Sequence, residues 1–163
     1  MPVAVLAHVG LGSNLGDSRA TIAQAIQALG GLPGCELLIR SADYRSPPWG
    51  PVPQPDYVNA AVRLRTRLTA PDLLEALLAT ERAFGRIRPG VRWGPRTLDL
   101  DLLLYGDTVC DVPHLQLPHP RIGSRAFVLL PLADIDPELE VPGQGTVASL
   151  MARVDATGCE RLG

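Results

Sequence analysis

The chain has 163 residues, a length that favours one domain built around a single hydrophobic core. Its net charge of −2 argues against a nucleic-acid partner, and the absence of any apolar run near the ~20 residues of a membrane span argues against a membrane one. The N-terminal stretch lacks the basic region of a signal peptide, and Cys35, Cys110 and Cys159 lack zinc-site spacing, so we expect a cytoplasmic protein with reduced thiols.

The first half of the chain predicts two strands with a helix between them. Residues 3–9 form a short apolar run typical of a buried strand, and the segment GLGSNLGD then predicts a tight turn. Apolar residues at helical spacing predict a helix over residues 17–29 that ends at Gly30 and Gly31. Residues 35–44 predict a second strand, which leads into the proline-rich loop SPPWGPVPQP.

The second half predicts two further strands and a second helix. The segment DYVNAAVRLRTRL predicts a strand with Tyr57, Asn59 and Ala61 on one face, which is exposed at Tyr57 and Asn59. The buried face of that strand carries Val58, Ala60, Val62 and Leu64. Thr69 predicts the cap of a helix that ends at Gly85. The buried stripe of the helix consists of Leu73, Leu74, Leu77 and Leu78. A strand over residues 98–105 and a short helix over residues 147–154 complete the prediction.

The order of these elements is β-α-β-β-α-β, followed by C-terminal extra elements. This order predicts an α+β fold with a ferredoxin-like βαββαβ core, in which an antiparallel sheet carries both helices on one face. Repeats, linkers and low-complexity segments do not occur in the sequence. We therefore expect residues 1–163 to form one domain.

Two aspartates interrupt the leucine-rich segment RWGPRTLDLDLLLYG. On a strand, Asp99 and Asp101 point to one face while Leu98, Leu100, Leu102 and Leu104 point to the core. Neighbouring carboxylates repel each other, and a Mg²⁺ ion shared with substrate phosphates removes that repulsion. The DLD pattern alone still favours a different structure, an exposed sheet face whose acids pair with Arg92 or Arg96.

The segment before the aspartates shifts the balance towards phosphate chemistry. Its basic residues are Arg82, Arg86, Arg88, Arg92 and Arg96. All 15 basic residues of the chain are arginine, so a P-loop, which requires lysine, is excluded. Arginine binds phosphate oxygens in a bidentate manner, and an arginine-rich loop beside a metal site is typical of polyphosphate transfer. The alternative is a solvated basic loop, for which Trp93 is an unusual residue.

The other motifs are less specific. Gly16 comes one position too late for a dinucleotide-binding GxGxxG motif, so we interpret GLGSNLGD as a structural turn. The proline-rich loop is either a rigid connector or a wall that presents backbone groups to a planar ligand. Among the histidines, we expect His8 to be packed in the core and His114 to lie on the surface. His119 precedes two arginines, which leaves a phosphate-facing role and a structural one equally open.

Together the motifs resemble the 6-hydroxymethyl-7,8-dihydropterin pyrophosphokinase family of folate synthesis. The resemblance covers nearly the whole chain and rests on GSN, YRSPPWGPVPQPDYVNAAV, GRIR, RWGPRTLDLDLLLYG and LPHPRIGSRAFVLLPL, which occur in this order. RWGPRTLDLDLL is the signature of the family. The resemblance implies transfer of a pyrophosphoryl group from ATP to the hydroxymethyl group of a reduced pterin, with release of AMP. It also implies a monomer whose partners are ATP and the pterin.

The resemblance further implies the roles of individual residues. Two Mg²⁺ ions would bind Asp99 and Asp101, which act in catalysis together with Arg86 and Arg96. The implied ATP contacts are Arg86, Arg88, Trp93, Arg96, His119 and Arg125. The implied pterin contacts are rings of Tyr57 and Phe127 on either side, the amide of Asn59, backbone groups of Ser46 and Trp49, and walls formed by Pro47 and Pro48. A core position is the alternative for Phe127.

The chain departs from some members of the family near the ATP site. Pro89 and His114 stand where lysine and arginine can occur, and Leu78 replaces a polar residue. Two other functions fit the residues. One is a metal-dependent nucleotide phosphohydrolase that uses water as the nucleophile. The other is a non-catalytic ligand-binding module on a ferredoxin-like scaffold.

Overall fold

A computed structural model describes residues 3–48, 51, 53–85 and 97–163. The strands are β1 (Val5–Ser13), β2 (Cys35–Arg40), β3 (Tyr44–Ser46), β4 (Tyr57–Thr66), β5 (Asp99–Tyr105), β6 (Cys110–Val112), β7 (Leu115–Leu117), β8 (Glu140–Val141), β9 (Gly145–Thr146) and β10 (Glu160–Arg161). The helices are α1 (Ser18–Gly30), α2 (Ala70–Ala83), α3 (Ala126–Ile135) and α4 (Val147–Met151). A 3-10 turn, Ile122–Ser124, precedes α3.

The main sheet has the strand order β10-β3-β4-β1-β5, and β2 pairs with β4 beside β3. Its strand pairs are antiparallel, which confirms an α+β fold with an antiparallel sheet and helices. Two small ribbons, β6-β7 and β8-β9, lie outside this sheet. Within the described residues, no helix combines the length and the apolar character needed to cross a membrane.

Helices α1 and α2 begin where their capping residues predict. The Asp17 side chain accepts a hydrogen bond from Ala20 N, and the Thr69 side chain accepts one from Asp72 N. The apolar stripes of both helices join alternate residues of β1, β4 and β5 in one large core. On α2, Leu73 and Leu77 are buried as predicted, whereas Leu74 and Leu78 are only half-buried. The buried stripe of α2 is therefore narrower than predicted, because it excludes Leu74 and Leu78.

The opposite face of the sheet is covered by the C-terminal half of the chain. Leu129 and Leu132 of α3, Val147 and Leu150 of α4, and Ile122 pack with Ala61, Leu103 and Leu104 in a second core. The sequence pattern of residues 126–135 does not predict α3. Pro131 lies inside this helix, and its apolar residues occur on nearly every side, so the segment lacks the one-sided pattern of a surface helix.

The predicted second strand is divided into β2 and β3. The break lies at Ser41, where the Ser41 hydroxyl accepts a hydrogen bond from Ala61 N at 2.8 Å. Asp43 then binds the guanidinium groups of Arg19 and Arg40. Ser41 N still donates to Ala61 O at 2.9 Å, but a side-chain oxygen replaces a backbone carbonyl as the acceptor for Ala61 N, and the ladder is divided into β2 and β3 at this point.

Strand β5 contains an irregularity that changes which leucines face which core. The register with β1 shifts between His8 and Val9, so that His8 pairs with Leu104 and Val9 with Leu102. Leu103 is the extra residue, and both Leu103 and Leu104 lie in the second core. The prediction that Leu104 shares a face with Leu98, Leu100 and Leu102 is therefore wrong. The alternation holds from Leu98 to Leu102, where the aspartates lie.

Candidate active site

The floor of the candidate site is a row of residues across three neighbouring strands. Gly12 of β1 pairs with Asn59 of β4 on one side and with Asp99 of β5 on the other. The next row places Gly10 opposite Asp101. Paired residues of antiparallel strands point to the same face, and strands lie about 4.8 Å apart, so the backbones of Asn59 and Asp99 are separated by roughly 10 Å.

Gly10 and Gly12 leave this face of β1 without side chains, and an added Cβ would make ordinary contact at Gly12 and close contact at Gly10. A Cβ on Gly12 would lie 3.5 Å from Asn59 Oδ1 and 3.6 Å from Tyr57 Cδ1. A Cβ on Gly10 would lie 3.3 Å from the Leu103 side chain. Strand β1 is thus longer than the predicted 3–9, because Gly10 and Gly12 continue the sheet and the turn begins only after Ser13. The two glycines therefore place no side chain of β1 between Asn59 and the aspartates.

The aspartates open onto a cavity of about 320 Å³. Both side chains lie on its wall, and that of Asp101 is 45% exposed, which suits a group that exchanges water for ligands. The same cavity is lined by Leu74 and Leu78, the two half-buried leucines of α2. The cavity therefore has an apolar wall on α2 and a wall with two carboxylates on β5.

Glu81 of α2 is a site residue that the sequence analysis missed. Its carboxylate is 4% exposed and accepts a hydrogen bond from Leu100 N at 2.7 Å. Leu100 lies between the two aspartates, so this bond fixes the backbone that carries both. The only signal in the sequence is an acid on the buried side of an amphipathic helix, which is unusual but does not reveal its partner.

His119 reaches the aspartates from the loop after β7. Its Nδ1 accepts a hydrogen bond from Arg121 N at 3.2 Å, so in the neutral ring the proton is on Nε2. That Nε2 atom lies 3.9 Å from Asp101 Oδ1. Burial lowers the pKa of His119, with Asp101 opposing the shift and Arg125 adding to it, which favours the neutral ring near pH 7.

Arg125 lies within electrostatic range of the same carboxylate. Burial lowers its pKa and Asp101 raises it, although a guanidinium stays charged in either case. Its Cζ atom lies 5.4 Å from the centre of the Phe127 ring, a cation–π contact. Arg125 therefore connects the aspartate end of the site to the aromatic end.

The donor set fits a hard divalent cation only in part. Within the described part of the chain, no group of three or more histidine, cysteine or acidic side chains could hold a metal ion by itself. Two carboxylates on one strand face are nevertheless what Mg²⁺ uses when substrate phosphates supply further ligands. The pair fits a cation that arrives with a phosphate ligand.

Four of the residues implied in pterin binding line a second cavity, of about 520 Å³. They are Ser46, Pro47, Pro48 and Phe127. Phe127 is half-buried and lies on the wall of this cavity at the start of α3. The Tyr44 hydroxyl connects this side to α3 by donating a hydrogen bond to Asp134 at 2.7 Å, and burial together with Asp134 raises the pKa of Tyr44 to about 12.

Asn59 does not lie on an exposed face as predicted. It is 4% exposed because β3 pairs alongside it, and its Nδ2 donates a hydrogen bond to Ser46 Oγ at 2.7 Å. Tyr57 is half-buried and pairs with Ser46 across β3 and β4. The predicted pterin contacts Tyr57, Asn59 and Ser46 are thus neighbours.

The GSN motif has a structural role in this arrangement. Asn14 is buried, and its Nδ2 donates hydrogen bonds to Gln54 Oε1 at 2.8 Å and to Pro55 O at 2.9 Å. It therefore holds the end of the proline-rich loop against the turn after β1. Five of the other predicted site residues, Trp49, Arg86, Arg88, Trp93 and Arg96, lie outside the described residues.

Paired carboxylates on the wall of an open cavity in an antiparallel α+β fold are typical of a site for a small molecule. The chain belongs to the 7,8-dihydro-6-hydroxymethylpterin-pyrophosphokinase family, whose model matches residues 8–137.

Individual relatives agree with this assignment. The chain is 47% identical over 156 residues to the 2-amino-4-hydroxy-6-hydroxymethyldihydropteridine pyrophosphokinase of Methylorubrum extorquens, covering 96% of this chain and 98% of that one. It is 46% identical to the enzyme of the same name from Pseudomonas aeruginosa, covering 95% of each. The fold also resembles the HPPK-DHPS protein of Plasmodium falciparum crystallised with pteroate, with a TM-score of 0.75 at 13% identity. That match covers 94% of this chain but only 43% of the Plasmodium chain.

Proposed function

We propose that this protein transfers a pyrophosphoryl group from ATP to the hydroxymethyl group of 6-hydroxymethyl-7,8-dihydropterin in folate biosynthesis. Membership of the family and the names of its relatives support this activity. The residue assignments rest mainly on one observation, the pairing of Gly12 with Asn59 on one side and with Asp99 on the other. The amide of Asn59, which could read a heterocycle, and the carboxylate of Asp99, which could hold a cation, belong to strands about 10 Å apart and lie on the same face of the sheet, and this supports the assignment.

In this proposal ATP occupies the cavity beside Asp99 and Asp101. Its phosphates lie towards the two carboxylates, and its nucleoside lies against Leu74 and Leu78. His119 and Arg125 contact the triphosphate, together with Arg86, Arg88, Trp93 and Arg96. The neutral His119 ring donates from Nε2, while the arginines neutralise phosphate charge in a bidentate manner.

The pterin lies between the rings of Tyr57 and Phe127, with Asn59 and backbone groups of Ser46 and Trp49 at its edge and Pro47 and Pro48 as walls. Its hydroxymethyl oxygen attacks the β-phosphorus of ATP in line, the new O–P bond replaces the bond to the α-phosphate oxygen, and AMP leaves. Asp101 orients the hydroxyl group or accepts its proton. Asp99 and Asp101 would hold two Mg²⁺ ions, which would supply neutralisation of the phosphate charge.

The proposal also covers the domain organisation, the oligomeric state and the fold of the chain. Residues 1–163 form one pyrophosphokinase domain that works as a cytoplasmic monomer. The core is a ferredoxin-like variant, since the strand order around β4, β1 and β5 matches the βαββαβ arrangement once β2 and β3 are taken as one divided strand. The C-terminal elements after β5 extend that core.

One assay tests the activity against the phosphohydrolase alternative. The protein is incubated with ATP, Mg²⁺ and 6-hydroxymethyl-7,8-dihydropterin, and the nucleotide products are separated. AMP that forms only in the presence of the pterin, in equal amount to the pterin diphosphate, supports the proposal. Release of phosphate or pyrophosphate without pterin identifies a hydrolase, and binding without turnover identifies a ligand-binding module.

A further inference from the structure

The last residues of the chain add a strand to the edge of the sheet next to the pterin wall. In β10, Glu160 pairs with Arg45 and Arg161 with Tyr44 of β3. One residue further, Leu162 N donates a hydrogen bond to Asp43 O at 2.8 Å. Because β3 has only three residues, this pairing supports a large part of its length. Ser46, the last residue of β3, is the one that accepts the hydrogen bond from Asn59.

The segment before β10, which we call the tail turn (residues 155–159), packs directly against the wall. Gly158 has a φ of +87°, and a Cβ at this position would lie 3.3 Å from Cγ and Cδ of Pro47. Asp155, Thr157 and Cys159 line the same cavity as Pro47 and Phe127. The tail turn is therefore part of the surroundings of the predicted pterin site.

Local hydrogen bonds give the tail turn a defined shape. Thr157 N donates to Asp155 Oδ1 at 2.9 Å, and Cys159 N donates to Ala156 O at 3.0 Å. Because these hydrogen bonds restrict the backbone of the tail turn, they hold Gly158 in contact with Pro47. The Arg45–Glu160 ion pair is about half exposed on both sides, so we expect it to contribute less than the backbone pairing.

Other anchors act elsewhere on the same loop. Asn14 holds its far end at Gln54 and Pro55, and the Tyr44 hydroxyl holds the start of β3 to α3. The tail turn contacts Pro47, which lies in the sequence between Tyr44 and the residues that Asn14 binds.

We propose that the tail turn and β10 set the position of Ser46 and Pro47 and thereby determine affinity for the pterin, without contributing to ATP binding. The inference rests on the proposed function, because it assigns the pterin to this cavity. It makes Gly158 and the backbone N–H of Leu162, but not the Leu162 side chain, positioning groups for substrate recognition.

Two pairs of full-length variants test this role. Gly158→Ala places a methyl group against Pro47, and Gly143→Ala is its control, because Gly143 has a similar φ of +76° but no atom within 4 Å of an added Cβ. Leu162→Pro removes the N–H that binds Asp43 O, and Leu162→Ala shortens the same side chain while keeping that N–H. Each protein is titrated calorimetrically with the pterin in the presence of Mg²⁺ and a non-hydrolysable ATP analogue, and with the analogue alone.

We expect Gly158→Ala and Leu162→Pro to weaken pterin binding at least about threefold while affinity for the ATP analogue stays within about twofold of wild type. Both controls should bind the two ligands like wild type. Unchanged pterin affinity in both test variants, or equal weakening of both ligands, would overturn the inference. Failure of the proposed function is a separate result, in which wild-type protein forms no AMP with ATP, Mg²⁺ and pterin.

Discussion

The two faces of the central sheet are formed by alternate residues of the same strands, yet they differ sharply in composition. On the side of α1 and α2, the strands present Ala7, Val9 and Leu11 together with Ala60, Val62, Leu64, Leu100 and Leu102. The opposite face carries the polar residues and glycines of the sheet, beside three residues of the second core. These are His8, Gly10, Gly12, Asn59, Arg63, Asp99 and Asp101, beside Ala61, Leu103 and Leu104. Near Asn59 and Asp99, a one-residue step along a strand therefore separates buried residues of the large core from residues of the candidate site.

The largest expected effect lies on the polar face. If Asp99 and Asp101 hold the cations, changing either residue to alanine should lower turnover by about a thousandfold, since each provides several kcal/mol of charge stabilisation in the transition state. The melting temperature should change little, because neither side chain belongs to a core. Steady-state assays at saturating Mg²⁺ check this, with the exposed Asp107→Ala as a matched control. Near-normal turnover of Asp101→Ala would contradict the assignment.

The apolar face should respond in the opposite way. Leu64→Ala removes a fully buried side chain from the large core and should reduce the free energy of unfolding by about 3 kcal/mol. The protein that remains folded should keep its turnover and its affinity for both substrates. Urea unfolding and active-site titration measure the two quantities separately. A loss of turnover per folded molecule would show that the faces are not independent.

Both faces were predictable where a local rule decides the outcome. The caps at Asp17 and Thr69 and the alternation of β4 follow from short-range hydrogen bonding and strand geometry, and the structure confirms them. The placement of Asp99 and Asp101 on the face opposite Leu100 is correct for the same reason. A periodic pattern also indicates which residues share a face before any partner strand is known.

Other features depend on contacts between distant parts of the chain. The break at Ser41 and the hydrogen bond from Leu100 N to Glu81 each involve a partner 19 or more positions away in the sequence. The position of the extra residue Leu103 is set by the register of pairing between β5 and β1. The same is true of β10, a strand of two residues defined by its pairing with β3. Propensity and periodicity carry no information about such partners.

The aromatic end of the polar face should show a smaller, ligand-specific effect. Tyr57→Ala and Phe127→Ala each remove a ring that stacks on the pterin and should weaken its binding by about 1–3 kcal/mol, roughly tenfold to a hundredfold. Affinity for ATP should stay within about threefold, because the nucleotide lies at the other end. Calorimetric titration with each ligand tests the difference. Normal pterin binding by Phe127→Ala with a much lower melting temperature would place the ring in the core instead.

His8 is a polar residue of this face for which we expect an effect on stability and not on turnover. It is buried, its Nε2 accepts a hydrogen bond from Arg63 at 2.9 Å, and its Nδ1 has no partner among the described residues. Burial, followed by the nearby Arg63 guanidinium, lowers the pKa of His8 from 6.5 to about 4, while Asp136 opposes the shift. His8 should thus stay neutral in the folded protein well below pH 6.5.

Because the unfolded chain binds this proton at higher pH than the folded one, stability from His8 is complete above pH 6.5 and decreases as the pH falls towards 4. At pH 5.5 the loss should be about 1.4 kcal/mol relative to pH 7.5. Urea unfolding at both values should show a smaller decrease for His8→Gln than for wild type. Identical decreases would indicate that His8 does not titrate in this way.

The hydrogen bond that Glu81 accepts from Leu100 N also affects the outer edge of the sheet, where a second chain could pair. Strand β5 is the last strand of the sheet, and its outer edge would offer free backbone groups along a leucine-rich segment. Such an edge is a template on which a second chain can add a strand and begin aggregation. Glu81 takes up the N–H of Leu100, and His119 N donates to Leu103 O at 2.9 Å, so backbone groups on both sides of Asp101 are occupied. The residues that frame the carboxylates therefore also occupy backbone groups through which a second chain could pair with this edge.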